Sequence, residues 1–280
     1  MLIVDGHVHI YDRFDLNRFF AAAFTNFAAA AEALGAETYS PVIFLADWPG
    51  QSWFENLKGL CEGRAAQGRE NSPDIFRVER TEEPVSLTVR RRGGTPIIVI
   101  AARKIITAEN LEVMALFSAE SFVPGKPLTE TVQCLRDKGA ITVLSWAVGK
   151  WLGKRGRDVD ALLEVSGGDV FLADNANRPW FWPRPRQFAE AGRSGAKILA
   201  GSDPLDLVSE TDRTGLFGFV LPGDLDTNFP ARQLKDYLCD DTVSIISYGS
   251  LETVFRFVRN QCLLFFAKRR RRSNGKGSGI

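Results

Sequence analysis

The chain has 280 residues, 45% of them hydrophobic and 25% charged, an ordinary globular composition and enough to bury a large core as one domain. Thirty-five Lys and Arg stand against thirty-four Asp and Glu, a formal charge of +1, so the body has no global pull toward nucleic acid or membrane, and no specific nucleic-acid partner is expected. Four scattered cysteines without a CxxC pair argue against a zinc knuckle or disulfide framework, and the N-terminus lacks the basic and apolar runs of a signal peptide, so a reduced, cytoplasmic setting is expected.

Residues 1–4 are apolar and β-prone and run into Asp5-Gly6-His7-Val8-His9, the pattern of a buried strand with functional groups at its carboxyl end. The segment 15–34 repeats apolar residues at helical spacing (Phe20, Phe24, Phe27, Ala31, Leu34) and stops at Gly35. A second strand follows at 42–46, then Asp47 and a helix near 53–62. The polar stretch 63–72 gives way to 76–92, whose β-branched residues around Glu82-Glu83-Pro84 predict a hairpin, an insertion at about 74–92. Strands three to seven are predicted at 96–102, 111–117, 141–144, 170–173 and 197–200, with helices near 128–138, 158–165 and 185–192. An eighth strand near 243–246 and a helix at about 251–267 complete the body. Alternating strands and helices predict a parallel sheet, and polar residues at the strand ends predict an α/β fold of TIM-like (β/α)7–8 barrel type over residues 1–267. Residues 268–280, five cations followed by a polar, glycine-rich end, read as a flexible basic tail with at most weak, salt-sensitive attraction to a membrane surface.

His7 and His9 are the only histidines of the chain. Two apart on a strand, they point the same way and can grip one divalent metal. Gly201-Ser202-Asp203-Pro204 places a carboxylate at the mouth of the strand 197–200, which makes Asp203 a candidate third ligand or base. Lys150, Lys154, Arg155 and Arg157 lie among glycines after strand five; Asp174, Asn175, Asn177 and Arg178 follow strand six. With Arg103 they predict a cationic rim suited to a phosphate or carboxylate, although Lys154, Arg155 and Arg157 fit a solvated loop better. Trp146, Trp151, Trp180, Phe181 and Trp182 suit either a sugar- or base-binding cleft or, more simply, the packing of a long loop.

Taken in order, these motifs resemble the PHP (polymerase and histidinol phosphatase) phosphoesterases, whose chains carry a D-x-H-x-H first strand, T-D-H at strand two, a G-x-E strand, two single histidines and a late S-D-x-H. Asp5-Gly6-His7-Val8-His9 matches the first motif, and Gly201-Ser202-Asp203-Pro204-Leu205 keeps the late aspartate. Between them, Ala46-Asp47-Trp48 stands at T-D-H, Ala102-Arg103-Lys104 puts a cation in the G-x-E region, Glu112 takes one histidine position and Trp146 lies near the other. The likeness spans about residues 1–207, and the wider amidohydrolase superfamily shares the two end motifs. It implies a PHP-type distorted barrel and metal-dependent hydrolysis. Because Trp48, Trp146 and Leu205 replace histidines, the expectation is one divalent ion (zinc, manganese or iron) on His7, His9 and Asp203, or none, rather than a trinuclear cluster.

The expected function is hydrolysis of a small anionic substrate, a phosphoester first. Asp203, Arg103 and Lys150 would serve catalysis, and Lys150, Asp174, Asn175, Asn177 and Arg178 would contact substrate. The alternative is a non-catalytic barrel that binds an anionic ligand or protein partner, since tryptophan fills a site without coordinating anything.

Overall fold

The computed structural model describes residues 1–61 and 76–274, so the polar stretch 63–72, the start of the predicted insertion at 74–75 and the end of the tail at 275–280 lie outside the described residues. The chain begins β1 (Leu2–Val8), α1 (Leu16–Ala33), β2 (Ser40–Asp47), α2 (Trp53–Leu60), β3 (Phe76–Arg80) and β4 (Ser86–Arg91). It continues β5 (Ile97–Ile106), β6 (Glu112–Leu116), α3 (Leu128–Asp137), β7 (Ile141–Ser145), α4 (Lys154–Ser166), β8 (Val170–Asn175), α5 (Arg186–Ser194) and β9 (Ile198–Gly201). It closes with β10 (Phe217–Leu221), α6 (Pro230–Cys239), β11 (Ile246–Gly249) and α7 (Val254–Asn274).

Nine strands curl into one sheet in the order β11-β10-β1-β2-β5-β6-β7-β8-β9, and with the helices they make a mixed α/β barrel that is nearly closed. Strands β1, β2 and β5 are mutually parallel, as are β7, β8 and β9. The predicted hairpin forms from β3 and β4 and extends the sheet through an antiparallel ladder on β5.

An all-parallel barrel does not hold. Strand β6 is antiparallel to both β5 and β7. Only residues 107–111 join β5 to β6, with Thr107 N donating to Leu111 O at 3.0 Å and Asn110 in the left-handed region at φ 61°. A parallel return requires a crossover of about a dozen residues or more, so the short link forces a reversal. Strand β10 and helix α6 form in a stretch that the sequence pattern leaves unassigned, and β11 lies at the end of the expected 243–246 position rather than on it. In β10, a Cβ on Gly218 would sit 2.0 Å from the Val4 carbonyl oxygen, so close approach to β1 demands the residue that weakens strand propensity. Helix α7 continues past residue 268, where the basic run begins, to Asn274. Its first turns are anchored by Asn260, which donates to Glu210 at 3.1 Å, while Phe255, Val258, Phe265 and Phe266 are exposed.

Side chains alternate between two environments. Val4, Phe44, Ile98, Ile100, Val143 and Phe171 point into the barrel and form its inner core. Their neighbours Ile3, Ile43 and Val99 face outward against Phe20, Phe24 and Phe27 of α1, each ring contributing roughly 1.5–3 kcal/mol by burial. Asp15 starts that helix by accepting from Arg18 N. Leu144 and Leu172 face outward in the same way under α3, α4 and α5.

The barrel closes where β9 meets β1. Strand β10 pairs with β1 only from Leu2 to Val4, which leaves the upper edge of β1 for β9. There Asp203 N donates to His7 O at 2.8 Å, and a Cβ on Gly201 would lie 2.4 Å from His7 N. Closure therefore rests on a glycine and carries the residues after β9 onto the histidines.

Candidate metal centre

His7, His9 and Asp203 each offer one donor atom, and the three lie within 4.8 Å of one another. The two Nε2 atoms are 3.0 Å apart, and Asp203 Oδ1 stands 3.7 Å from that of His7 and 3.5 Å from that of His9. Both imidazoles are buried, and Asp203 is the more exposed donor.

Backbone contacts preset this geometry. His9 Nδ1 lies 2.5 Å from the Ala46 carbonyl, which can only accept, so Nδ1 carries the proton and the Nε2 lone pair faces the cluster. Asp203 has φ 43°, a left-handed conformation uncommon before proline, and is held there by its own N–H on His7 O and by Asn177 Nδ2 on its carbonyl at 2.6 Å. Behind β1, the buried Asp5 carboxylate accepts from Ser202 N and Gly215 N, both at 2.8 Å, and fastens the strand to the loop that bears Asp203. Burial raises Asp5 to about 7 against these hydrogen bonds, which lower it.

Burial also lowers the pKa of both histidines, at His7 against the opposing Asp203 carboxylate, and the Lys104 charge adds to it, so both are neutral at pH 7 and hold lone pairs for a cation. This donor set fits one divalent ion. His9 is ready for it. In His7 the ring proton would then sit on Nδ1, a buried atom with no hydrogen-bond partner among the described residues.

A second charged group lies on the same inner face. Lys104 follows Ile98, Ile100 and Ala102 by twos along β5 and so points inward, where its Nζ is 3.0 Å from Glu112 on β6. Lys150 reaches the other oxygen of Glu112, also at 3.0 Å. Burial would raise Glu112, but the two ammonium groups outweigh it and hold the carboxyl at about 2. Burial would likewise lower Lys104, yet Glu112 and Asp203 keep its pKa raised. Ser145, paired with Glu112 across β6 and β7, carries a buried hydroxyl without a partner among the described residues.

Arg103 points the other way. Its guanidinium donates to the carbonyls of Ala119 and Gln51 at 2.6 to 3.1 Å and lies 3.8 Å from Asp47, whose carboxylate caps α2 through Trp53 N and Phe54 N. Arg178 and Asp174 form a buried bidentate pair at 2.9 and 2.6 Å. Asn175 donates to Trp146 O and accepts from Asn177 N, so these amides brace the loop that supports Asp203. Lys154 pairs with Asp158, and Arg155 donates to Gly149 O. Trp146 and Trp151 are buried in the outer core, whereas Trp180 and Phe181 are exposed.

Among residues that the motif reading passed over, Lys104 was legible from its even spacing with Ile98, Ile100 and Ala102. Tyr11 was not, since its place depends on the loop after β1. The Trp48 ring lies 5.0 Å from both His9 and Tyr11, and the two aromatics, with Asp12, Arg13, Gln51 and Asp206, line a cleft of about 530 Å³ beside the histidines.

No protein-family model and no curated protein matches the chain. Among solved structures, it is similar to PsfC from Pseudomonas syringae PB-5123, with 16% identity, a TM-score of 0.47 and coverage of 96% of this chain and 97% of that one. It is also similar to the lesion-specific endonuclease PfuEndoQ from Pyrococcus furiosus, with 11% identity, a TM-score of 0.43 and coverage of 88% of this chain and 58% of the endonuclease.

Proposed function

We propose that this chain is a metal-dependent hydrolase of small anionic substrates, phosphoesters first, built on a PHP-type barrel and working with one divalent ion. The observation that carries the reading is the convergence of two buried, neutral imidazoles and one carboxylate at the end of the barrel where β1 and β9 meet. His7, His9 and Asp203 would hold a zinc, manganese or iron ion, which would supply Lewis acidity there. The protein's own part is positional. His9 presents its lone pair because Ala46 holds the opposite proton, and Asp203 ligates or accepts a proton from a backbone locked by His7 and Asn177. Lys150 offers positive charge to the substrate anion, and Tyr11 and Trp48 shield the histidine side from water. Among the described residues no helix is long and apolar enough to cross a membrane, and four scattered cysteines without a CxxC pair suit a reducing, cytoplasmic setting.

Metal analysis of the purified protein tests the reading. Near-stoichiometric metal that disappears in the His7→Ala, His9→Ala variant, together with hydrolysis of p-nitrophenyl phosphate that disappears with it, is the expected result. A protein that purifies without metal and takes up none from added zinc or manganese refutes it.

One observation favours a second reading, a barrel that binds an anion without metal. The 3.0 Å contact between the two Nε2 atoms is a complete hydrogen bond if His7 donates to His9, so the two nitrogens that face the cluster are satisfied with nothing bound.

A further inference from the structure

Beyond the three donors, the end of the barrel contains a charge pattern that decides how many ions it accepts. Lys104 and Lys150 bring two positive charges, and Glu112 and Asp203 bring two negative ones. The other charges nearby do not alter that count: Arg13 pairs with Asp206 at 2.7 Å, and Asp12 is exposed to solvent. Arg178 and Asp174 neutralise each other, Arg103 and Asp47 lie on the outer face, and Asp5 faces the backbone of Ser202 and Gly215. One divalent ion would leave the pocket with two excess positive charges, which a dianion such as a phosphomonoester balances. A second ion would leave four, with Lys104 facing it at low dielectric.

Lys104 is also equipped to meet an anion. Glu112 takes one of its hydrogen-bonding directions, and an ammonium group has three. The hydroxyl of Ser145, on the strand beside Glu112, is buried and unpartnered, so a second donor in that layer lacks an acceptor among the described residues.

We propose that Lys104, fixed by Glu112, is the specificity-determining residue of this site: it restricts His7, His9 and Asp203 to a single divalent ion and donates to the dianionic group of the substrate. The inference rests on the metal-dependent reading above, and the following measurement separates the two.

Isothermal titration of the full-length, metal-stripped protein with Mn²⁺ gives stoichiometry and affinity, and a second titration with inorganic phosphate, at saturating Mn²⁺, reads the anion site. The native protein is expected to take one Mn²⁺. Lys104→Met, which keeps the length of the side chain without its charge, should bind Mn²⁺ at least about tenfold more tightly and phosphate at least about tenfold more weakly. Lys104→Glu should admit a second Mn²⁺. Two ions in the native protein, or a folded Lys104→Met variant with both affinities unchanged, overturns the role of Lys104 and leaves the metal-dependent reading standing. No ion in the native protein removes both, and should Lys104→Met fail to fold, a Lys104→Glu variant that still takes a single Mn²⁺ overturns the role of Lys104.

Discussion

Arg103 and Lys104 are neighbours on one strand, yet they belong to different parts of the molecule. Lys104 points into the barrel, where Glu112 holds its charge beside the histidines. Arg103 points outward and supports the Gln51 and Ala119 loops through their carbonyls. The same contrast holds one strand away, between inward Ala46, whose carbonyl orients His9, and outward Asp47, which caps α2. Two residue types that look equivalent in sequence thus divide into chemistry and scaffolding by the parity of their position.

Substitutions on the two faces should separate cleanly. The largest effect is expected from His7→Ala, His9→Ala, which should abolish divalent-ion binding and lower phosphoester hydrolysis by about 100-fold or more, measured by metal content and turnover of the same sample. Next is Asp174→Ala, which strands Arg178 in a buried position and should destabilise the fold by about 3–5 kcal/mol in urea denaturation, without changing ion stoichiometry. Retained stability would mean that the pair is wet.

Glu112→Gln comes third and is read through pH. Because the folded carboxyl is held at about 2 against an ordinary value of 4.5, its contribution is full above about 4.5 and is lost as pH falls from there toward 2. The native protein should therefore exceed the variant by on the order of 3 kcal/mol near neutrality, with the gap closing across that acidic window. A gap independent of pH would show that Glu112 is not a charged anchor. The smallest effect belongs to Arg103→Met, about 1–3 kcal/mol of stability from two carbonyls left without a donor, with Mn²⁺ and phosphate affinities unchanged. A change in either affinity would place Arg103 in the site and erase the distinction between the faces.

Much of the barrel was readable because its strands are continuous apolar runs bounded by polar ends, as at residues 42–46 and 170–173, within β2 and β8. The direction of β6 was less obvious, although the link of residues 107–111 was already too short for a crossover. Strand β10 was hidden because Gly218, its second residue, is explained only by the Val4 carbonyl beside it. At the site, the pairing of His7 and His9 followed from their spacing alone. The roles of Asp174 and Arg178 did not, since each neutralises the other only once the turn after β8 folds back on itself.

By itself the sequence determined the alternation of strands and helices and the common direction of the two imidazoles, because both follow from local periodicity. It also placed an aspartate after the seventh predicted strand. Only the tertiary structure decided that this aspartate meets the histidines, that Glu112 anchors Lys104 beside them, and that both imidazoles are neutral. Those properties depend on barrel closure and on the loss of water around charges, and neither is encoded within a single segment.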